Sequence, residues 1–246
     1  MKDLEFLIKK IIPEKYLLEK RLKRAIKKGY EKELTIIRKF SDKNKEAIDI
    51  GVYRGVYSYE LAKYYKLVHS FEPNPLIYPY LKKNLTKIIK NIKLYNVALS
   101  EEIGEVNLRI PNRTNSLFHN NVEELYKLGC ATIHNENIFK KYNEFKVKKN
   151  KLDNLIVSNN IGFIKIDVEG HELEVINGGI NIITANKPIL LIEIEEKHTK
   201  KNINETINKI NKLGYRSYYL EDNKFKSTDN LGVGSKFNNF IFEYKN

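Results

Sequence analysis

From residue 46 onward, short apolar runs of strand length alternate with stretches of helical period, and this alternation most limits how the chain can fold. The runs at 47–52, 67–71, 92–99, 163–168 and 188–195 are almost continuously apolar. A strand apolar on both faces must be covered on both sides, which means a largely parallel sheet between layers of helix. Helices are predicted at 56–65, 76–90, 172–186 and 202–213, the last ended by Gly214. Two closing strands follow at 215–220 and 237–244. Residues 105–110 form an extra strand, because Val106, Leu108 and Ile110 alternate with polar residues. The expected architecture is a doubly wound, mostly parallel α/β sheet of seven strands, without internal repeats.

Two segments stand outside this pattern. Residues 1–45 read as a basic helical extension: Leu18, Leu22 and Ile26 recur every four residues between Lys and Arg, with Pro13 before them and Gly29 as a stop. The domain proper is then 46–246. Within it, 112–145 is polar, Asn-rich and aperiodic with weak helical hints, a long insertion and a candidate lid over an acceptor site.

Composition removes several classes. With 41% hydrophobic residues the chain can build a core. No apolar run approaches the ~20 residues of a membrane span, and the N-terminus lacks the apolar segment of a secretory signal. Cys130 is the single cysteine, so no internal disulfide is expected and a reducing cytoplasm fits. Of the net charge of +13, residues 1–45 supply +8, from 15 basic and 7 acidic groups. The rest is only mildly basic, and no stripe interleaves aromatics with Arg as in single-strand binders, so nucleic acid is not favoured as a partner. The basic helix either packs on the domain with a solvated face or touches an anionic membrane surface.

The strand ends carry the chemistry, since open α/β sheets bind ligands outside the carboxyl ends of their strands. Strand 47–52 contains Asp49 and runs into a turn bracketed by Gly51 and Gly55, where a missing side chain lets backbone approach a ligand. Tyr53 and Arg54 stand between these glycines, so the full dinucleotide fingerprint is absent. The second strand ends in Glu72-Pro73-Asn74, 21 residues after Gly51. An acidic residue at that spacing accepts hydrogen bonds from the ribose hydroxyls of an adenosine ligand. Ala98, near the end of the third strand, leaves room for a flat base or is an ordinary core alanine.

The fourth strand ends Lys165-Ile166-Asp167-Val168-Glu169-Gly170-His171, with Lys165, Asp167 and Glu169 on one side. Three ionisable groups on one face of a central strand are costly unless paired or facing a ligand. The fifth strand carries Glu193 and Glu195 on one side, with His198 just beyond.

At these residues the chain resembles the FkbM-type family of S-adenosylmethionine-dependent methyltransferases. The matching stretches are IDIGVYRGVYS, SFEPNP, NVALSEEIGEVNL, NSL (115–117), LDNL (152–155), FIKIDVEGHELEVINGG and ILLIEIE, in the family's order across about 46–196. The glycine turn departs from the usual form, which has Ala-Asn where Val52 and Tyr53 stand. The resemblance implies a Rossmann-like methyltransferase sheet and methyl transfer to a hydroxyl of a sugar, glycan precursor or small metabolite. It implies S-adenosylmethionine as cofactor, held by Asp49, Gly51, Tyr53, Gly55, Glu72, Pro73, Asn74, Ala98 and Asp167. Asp167, Glu169, His171 and His198 are the candidate bases for the acceptor proton. Asp167 and Glu169 offer hard oxygens to a divalent metal as an alternative not favoured. The competing readings are a methyltransferase with an N- or lipid-linked acceptor, and a non-catalytic binding module of the same fold.

Overall fold

A computed structural model describes residues 12–29, 32–111, 131–133, 141–195, 203–231 and 235–245. Five parallel strands form its centre: β1 (Glu46–Ile50), β2 (Val68–Phe71), β3 (Ile92–Tyr95), β7 (Ile161–Ile166) and β8 (Ile189–Glu193). Among the described residues the main sheet has eight strands in the order β10-β9-β11-β8-β7-β1-β2-β3. The antiparallel end is built by β9 (Tyr215–Glu221), β10 (Lys224–Ser227) and β11 (Asn239–Tyr244).

Strand alternation sends side chains to two helical layers. Ile48, Ile50, Ile164 and Ile166 pack against α6 (Glu172–Gly178), α7 (Ile180–Asn186) and α8 (Ile203–Asn211) through Val175, Ile176, Ile183 and Ile207. Ala47, Phe163, Leu191 and Ile241 face the other way, onto α2 (Leu34–Lys39) and α3 (Val56–Tyr64). Central strands thus need apolar residues at nearly every position, which is the pattern the sequence shows.

The basic helix α1 (Glu14–Lys27) belongs to the core. Leu18 and Leu22 are fully buried beside Leu81 and Leu85 of α4 (Tyr78–Ile88), with Lys and Arg left outside. None of the helices in the described residues is long and apolar enough to cross a membrane.

Four local expectations change. The run 92–99 is not one strand. After β3 the Asn96 side chain donates to the carbonyls of Glu72 (2.9 Å) and Pro73 (3.2 Å), and the chain leaves the sheet. Ala98–Leu99 (β4) then joins a separate three-stranded sheet with β5 (Gly104–Pro111) and β6 (Tyr142–Asn150). Residues 142–145, expected to lie in the aperiodic insertion, open the long strand β6, in which Glu144, Lys146 and Lys148 are exposed while Lys149, on the side of Phe145 and Val147, breaks the apolar alternation. Residues 112–130 and 134–140, including Cys130 and the 115–117 stretch, lie outside the described residues. The helix at 172–186 breaks at Gly178–Gly179, where a β-carbon on Gly178 would land on the Ser100 carbonyl. Finally, β10 is an eighth strand, reached through a two-residue turn with Asp222 and Asn223 at positive φ (49° and 59°). That is the type I′ geometry that Asp and Asn tolerate.

Candidate functional site

The turn after β1 is shaped by three left-handed residues, Gly51 (φ 81°), Tyr53 (φ 49°) and Gly55 (φ 81°). Gly55 starts α3, and its bare α-carbon packs on Leu85. Tyr53 takes a conformation in which Asn is the more usual residue. Beneath the turn lies a buried ionic network. The Lys165 ammonium donates to the Gly51 carbonyl (3.0 Å) and to Asp167 Oδ2 (3.1 Å), and stands 3.9 Å from Asp49 Oδ1. Ser58 donates to Asp49 Oδ2 at 2.5 Å, whereas among the described residues Oδ1 accepts no hydrogen bond. Burial pushes the Asp49 carboxyl up, opposed by Lys165. Burial also works against the Lys165 charge, but Asp167 and Asp49 more than offset it and hold that ammonium above its ordinary range.

Above this network is a cavity of about 240 Å³, at the carboxyl ends of β1, β2, β7 and β8. Its polar side comprises Gly51, Tyr53, Glu72, Asn74, Asp167, Glu169 and Glu193, and its apolar side includes Phe71, Ile77, Val97, Ala98 and Leu108. Glu72 accepts the backbone N–H of Tyr53 (2.8 Å) and of Asn74 (2.9 Å), so the first and second strand ends are tied through one carboxylate. Burial pushes the Glu72 carboxyl up to about 7 against these donors. Asn74 is buried; its Oδ1 accepts the Leu76 N–H, and among the described residues its Nδ2 has no hydrogen-bond partner. An apolar slot beside a carboxylate and an unspent amide donor fits a base and its ribose diol.

The remaining wall comes from the segment the sequence left blank. Thr132 pairs with Arg109 of β5 as an isolated bridge, and its hydroxyl donates to the Glu169 carbonyl at 2.8 Å. Ala131 and Ile133 thereby face the cavity. Glu169 (φ 54°) and Gly170 (φ 104°) make a left-handed turn just past β7, a costly conformation for a non-glycine residue that often marks a site.

The expected residues divide clearly. Gly51, Tyr53, Glu72, Pro73, Asn74, Ala98, Asp167 and Glu169 line the cavity. Asp49 lies beneath it, and Gly55 sets the helix start. His171 is turned away: its Nε2 pairs with Ser100 Oγ (3.0 Å) and its Nδ1 lies 3.5 Å from Glu174, off the cavity wall. His198 lies outside the described residues. Among those residues no three His, Cys, Asp or Glu side chains converge as a metal ion requires. Glu193 is the cavity carboxylate that the sequence pattern placed at a strand end without a role. Ala131, Thr132 and Ile133 carried no periodic signal.

A model of the Methyltransferase FkbM domain matches residues 49–217. No curated protein matches the sequence. Among solved structures, the methyltransferase FkbM from Methylobacillus flagellatus KT is 15% identical, with 82% of this chain and 44% of that chain covered and a TM-score of 0.49. The present chain thus spans less than half of that protein. A Streptococcus mutans protein in complex with SAH is 14% identical, covering 87% and 97% of the two chains at a TM-score of 0.49. An rRNA methylase from Streptococcus thermophilus is 13% identical, with 87% and 95% covered and a TM-score of 0.46.

Proposed function

This chain belongs to the FkbM methyltransferase family, and from that premise we propose that it moves the methyl group of S-adenosylmethionine onto a hydroxyl of a sugar, glycan precursor or small metabolite. The observation that carries the reading is the cavity's division, with Glu72 and Asn74 beside an apolar slot and three carboxylates at the strand ends next to it. In this reading Glu72 accepts the ribose hydroxyls, Asn74 donates from its unspent Nδ2, and Ala98 leaves space for the base. Gly51, Tyr53, Pro73 and Asp167 complete the holding wall. The bound cofactor supplies an already electrophilic methyl group. The chain's own work is to orient an acceptor, exclude water and take up a proton. The segment 131–133 covers the cavity and limits what acceptor fits. The acidic strand ends favour a neutral hydroxyl over a phosphate, because a phosphate would face Asp167, Glu169 and Glu193 while the Lys165 ammonium is already bonded to Asp167.

Calorimetric titration with S-adenosylmethionine, its demethylated product and NADH tests the cofactor. Binding of the first two and not the third is expected; nicotinamide binding alone, or no binding, removes the reading. Transfer of a labelled methyl to glycan and small-metabolite extracts, recovered as a base-stable ether, tests the acceptor. Label recovered only on nitrogen would replace the hydroxyl.

A further inference from the structure

We propose that Glu193 is the base that receives the acceptor's proton, a role that rests on the methyl-transfer reading above. Glu193 is one position past the last paired residues of β7 and β8, Ile166 and Ile192, so it stands beside Asp167 on the cavity wall. Two of the other candidate bases are engaged by the chain itself, whereas Glu169 sits on the strained turn beyond β7. Asp167 spends Oδ2 on the Lys165 ammonium at 3.1 Å, so that oxygen already faces a cation of the chain. His171 is engaged with Ser100 and Glu174 away from the cavity.

Glu193 is held without being neutralised. The Asn238 amide, just before β11, donates to Glu193 Oε1 (2.8 Å) and to Glu195 Oε1 (2.9 Å). One neutral side chain thus orients two carboxylates, and among the described residues no hydrogen bond reaches Glu193 Oε2. The charges facing Glu193 are Asp167 and Glu169 from the end of β7, Lys165 within β7, and Glu195 just beyond β8. Burial first, then repulsion from Asp167, pushes the Glu193 carboxyl up to about 8, with Lys165 opposing and Glu195 and Glu169 adding to the rise. A carboxylate of that basicity takes protons near neutral pH as an imidazole does.

In the transfer the acceptor oxygen bonds to the methyl carbon, the carbon–sulfur bond breaks with its electron pair left on sulfur, and the hydroxyl proton ends on Glu193. The same carboxylate senses the charge of what occupies the cavity. A sulfonium cation favours its ionised form, whereas the neutral thioether product does not. Binding of S-adenosylmethionine therefore expels a proton from Glu193 that binding of the product leaves in place. Both ligands carry the same ribose, so hydrogen bonding to Glu72 is the same in the two complexes, and Glu193→Gln separates the Glu193 share of the proton difference.

Calorimetry at pH 8 in two buffers of different ionisation heat counts those protons. The wild type should release roughly 0.3–0.5 proton more with S-adenosylmethionine than with the product, as expected for a group near half-titration. Glu193→Gln should abolish the difference, keep the product bound within about threefold, weaken S-adenosylmethionine binding by roughly threefold to tenfold as the proton linkage requires, and cut methyl transfer by ~10²-fold or more. Glu169→Gln should keep the proton difference. Carbon-13 spectra of the wild type should show glutamate carboxyls titrating well above the usual carboxylate range, one of which moves to lower pH only with the sulfonium, a readout independent of whether the variants fold. Equal proton release by the two ligands, or full transfer by Glu193→Gln, overturns the role. If neither ligand binds the wild type, the methyl-transfer reading falls first and takes this role with it.

Discussion

Gly51 backs directly onto the main-chain carbonyl of Asp167, with no room for a β-carbon between them. The contact joins the two strand ends that frame the cavity, and the Lys165 ammonium then bonds both residues, at 3.0 and 3.1 Å. Gly51 therefore sets the spacing between the β1 turn and the acidic end of β7.

Gly51→Ala should destabilise the protein by roughly 2–4 kcal/mol, because a positive φ of 81° and a collision with fixed backbone add. Cofactor affinity should fall at least ~10-fold in the fraction that folds. Urea unfolding followed by calorimetric titration checks both, and a wild-type profile would mean that the β7 end shifts freely.

Removing Lys165 should cost more than removing the charge of Asp167. Lys165→Met leaves Asp49 buried without its cation, a loss of about 3–5 kcal/mol. Asp167→Asn leaves Lys165 its bond to the Gly51 carbonyl and its proximity to Asp49, so about 1–2 kcal/mol is expected. Paired denaturation curves give the ranking; the reverse order would make Asp167 the centre of the network.

The Glu72 carboxyl gives a signed pH dependence. Its folded value of about 7 lies above the ordinary 4.5, so its contribution is greatest below pH 4.5 and is lost as pH rises through 7. Glu72→Gln mimics the protonated group and removes this loss. In ligand-free protein the variant should gain on the wild type by roughly 2–3 kcal/mol between pH 5 and pH 8.5. Thermal melts across that range measure the gap, and a gap constant with pH contradicts a raised Glu72.

The N-terminal helix should behave as core. Leu18 is fully buried against α4, so Leu18→Ala should cost about 2–5 kcal/mol. A chain beginning near Lys39 also loses Leu34, Ile36 and Ile37, which cover Ala47, Leu61 and Phe163. It should lack a cooperative melt, and a sharp transition at the wild-type temperature would show a separable arm.

The parallel sheet was legible because its strands are buried on both faces, so Ala47–Ile50 and Phe163–Ile166 are apolar except for Asp49 and Lys165. Glu72 was legible because spacing from the glycine turn is a backbone property. What escaped depends on partners distant in sequence. The tie from Asn96 to the Glu72 and Pro73 carbonyls ends β3, yet nothing in residues 92–99 marks it. His171 looks like a base by position, but Ser100, 71 residues away, draws its ring off the cavity. Thr132 reaches the Glu169 carbonyl through its hydroxyl and Asn238 reaches Glu193 through its amide, and a single polar side chain leaves no period to read.

The small sheet leaves the main one and returns to it at a single place, for Ala98 and Leu99 lie beside Lys149 and Asn150. A stretch whose two ends meet can be exchanged like a cassette, because its length does not alter the positions of the elements it connects. This cassette supplies Leu108, Ala131 and Ile133 to the cavity, while Glu72 and Glu193 stay on the parallel frame. The outer wall can thus be changed while the parallel frame stays in place, and replacing the span between Ser100 and Lys149 is the direct route to a new acceptor with Glu72 and Glu193 untouched.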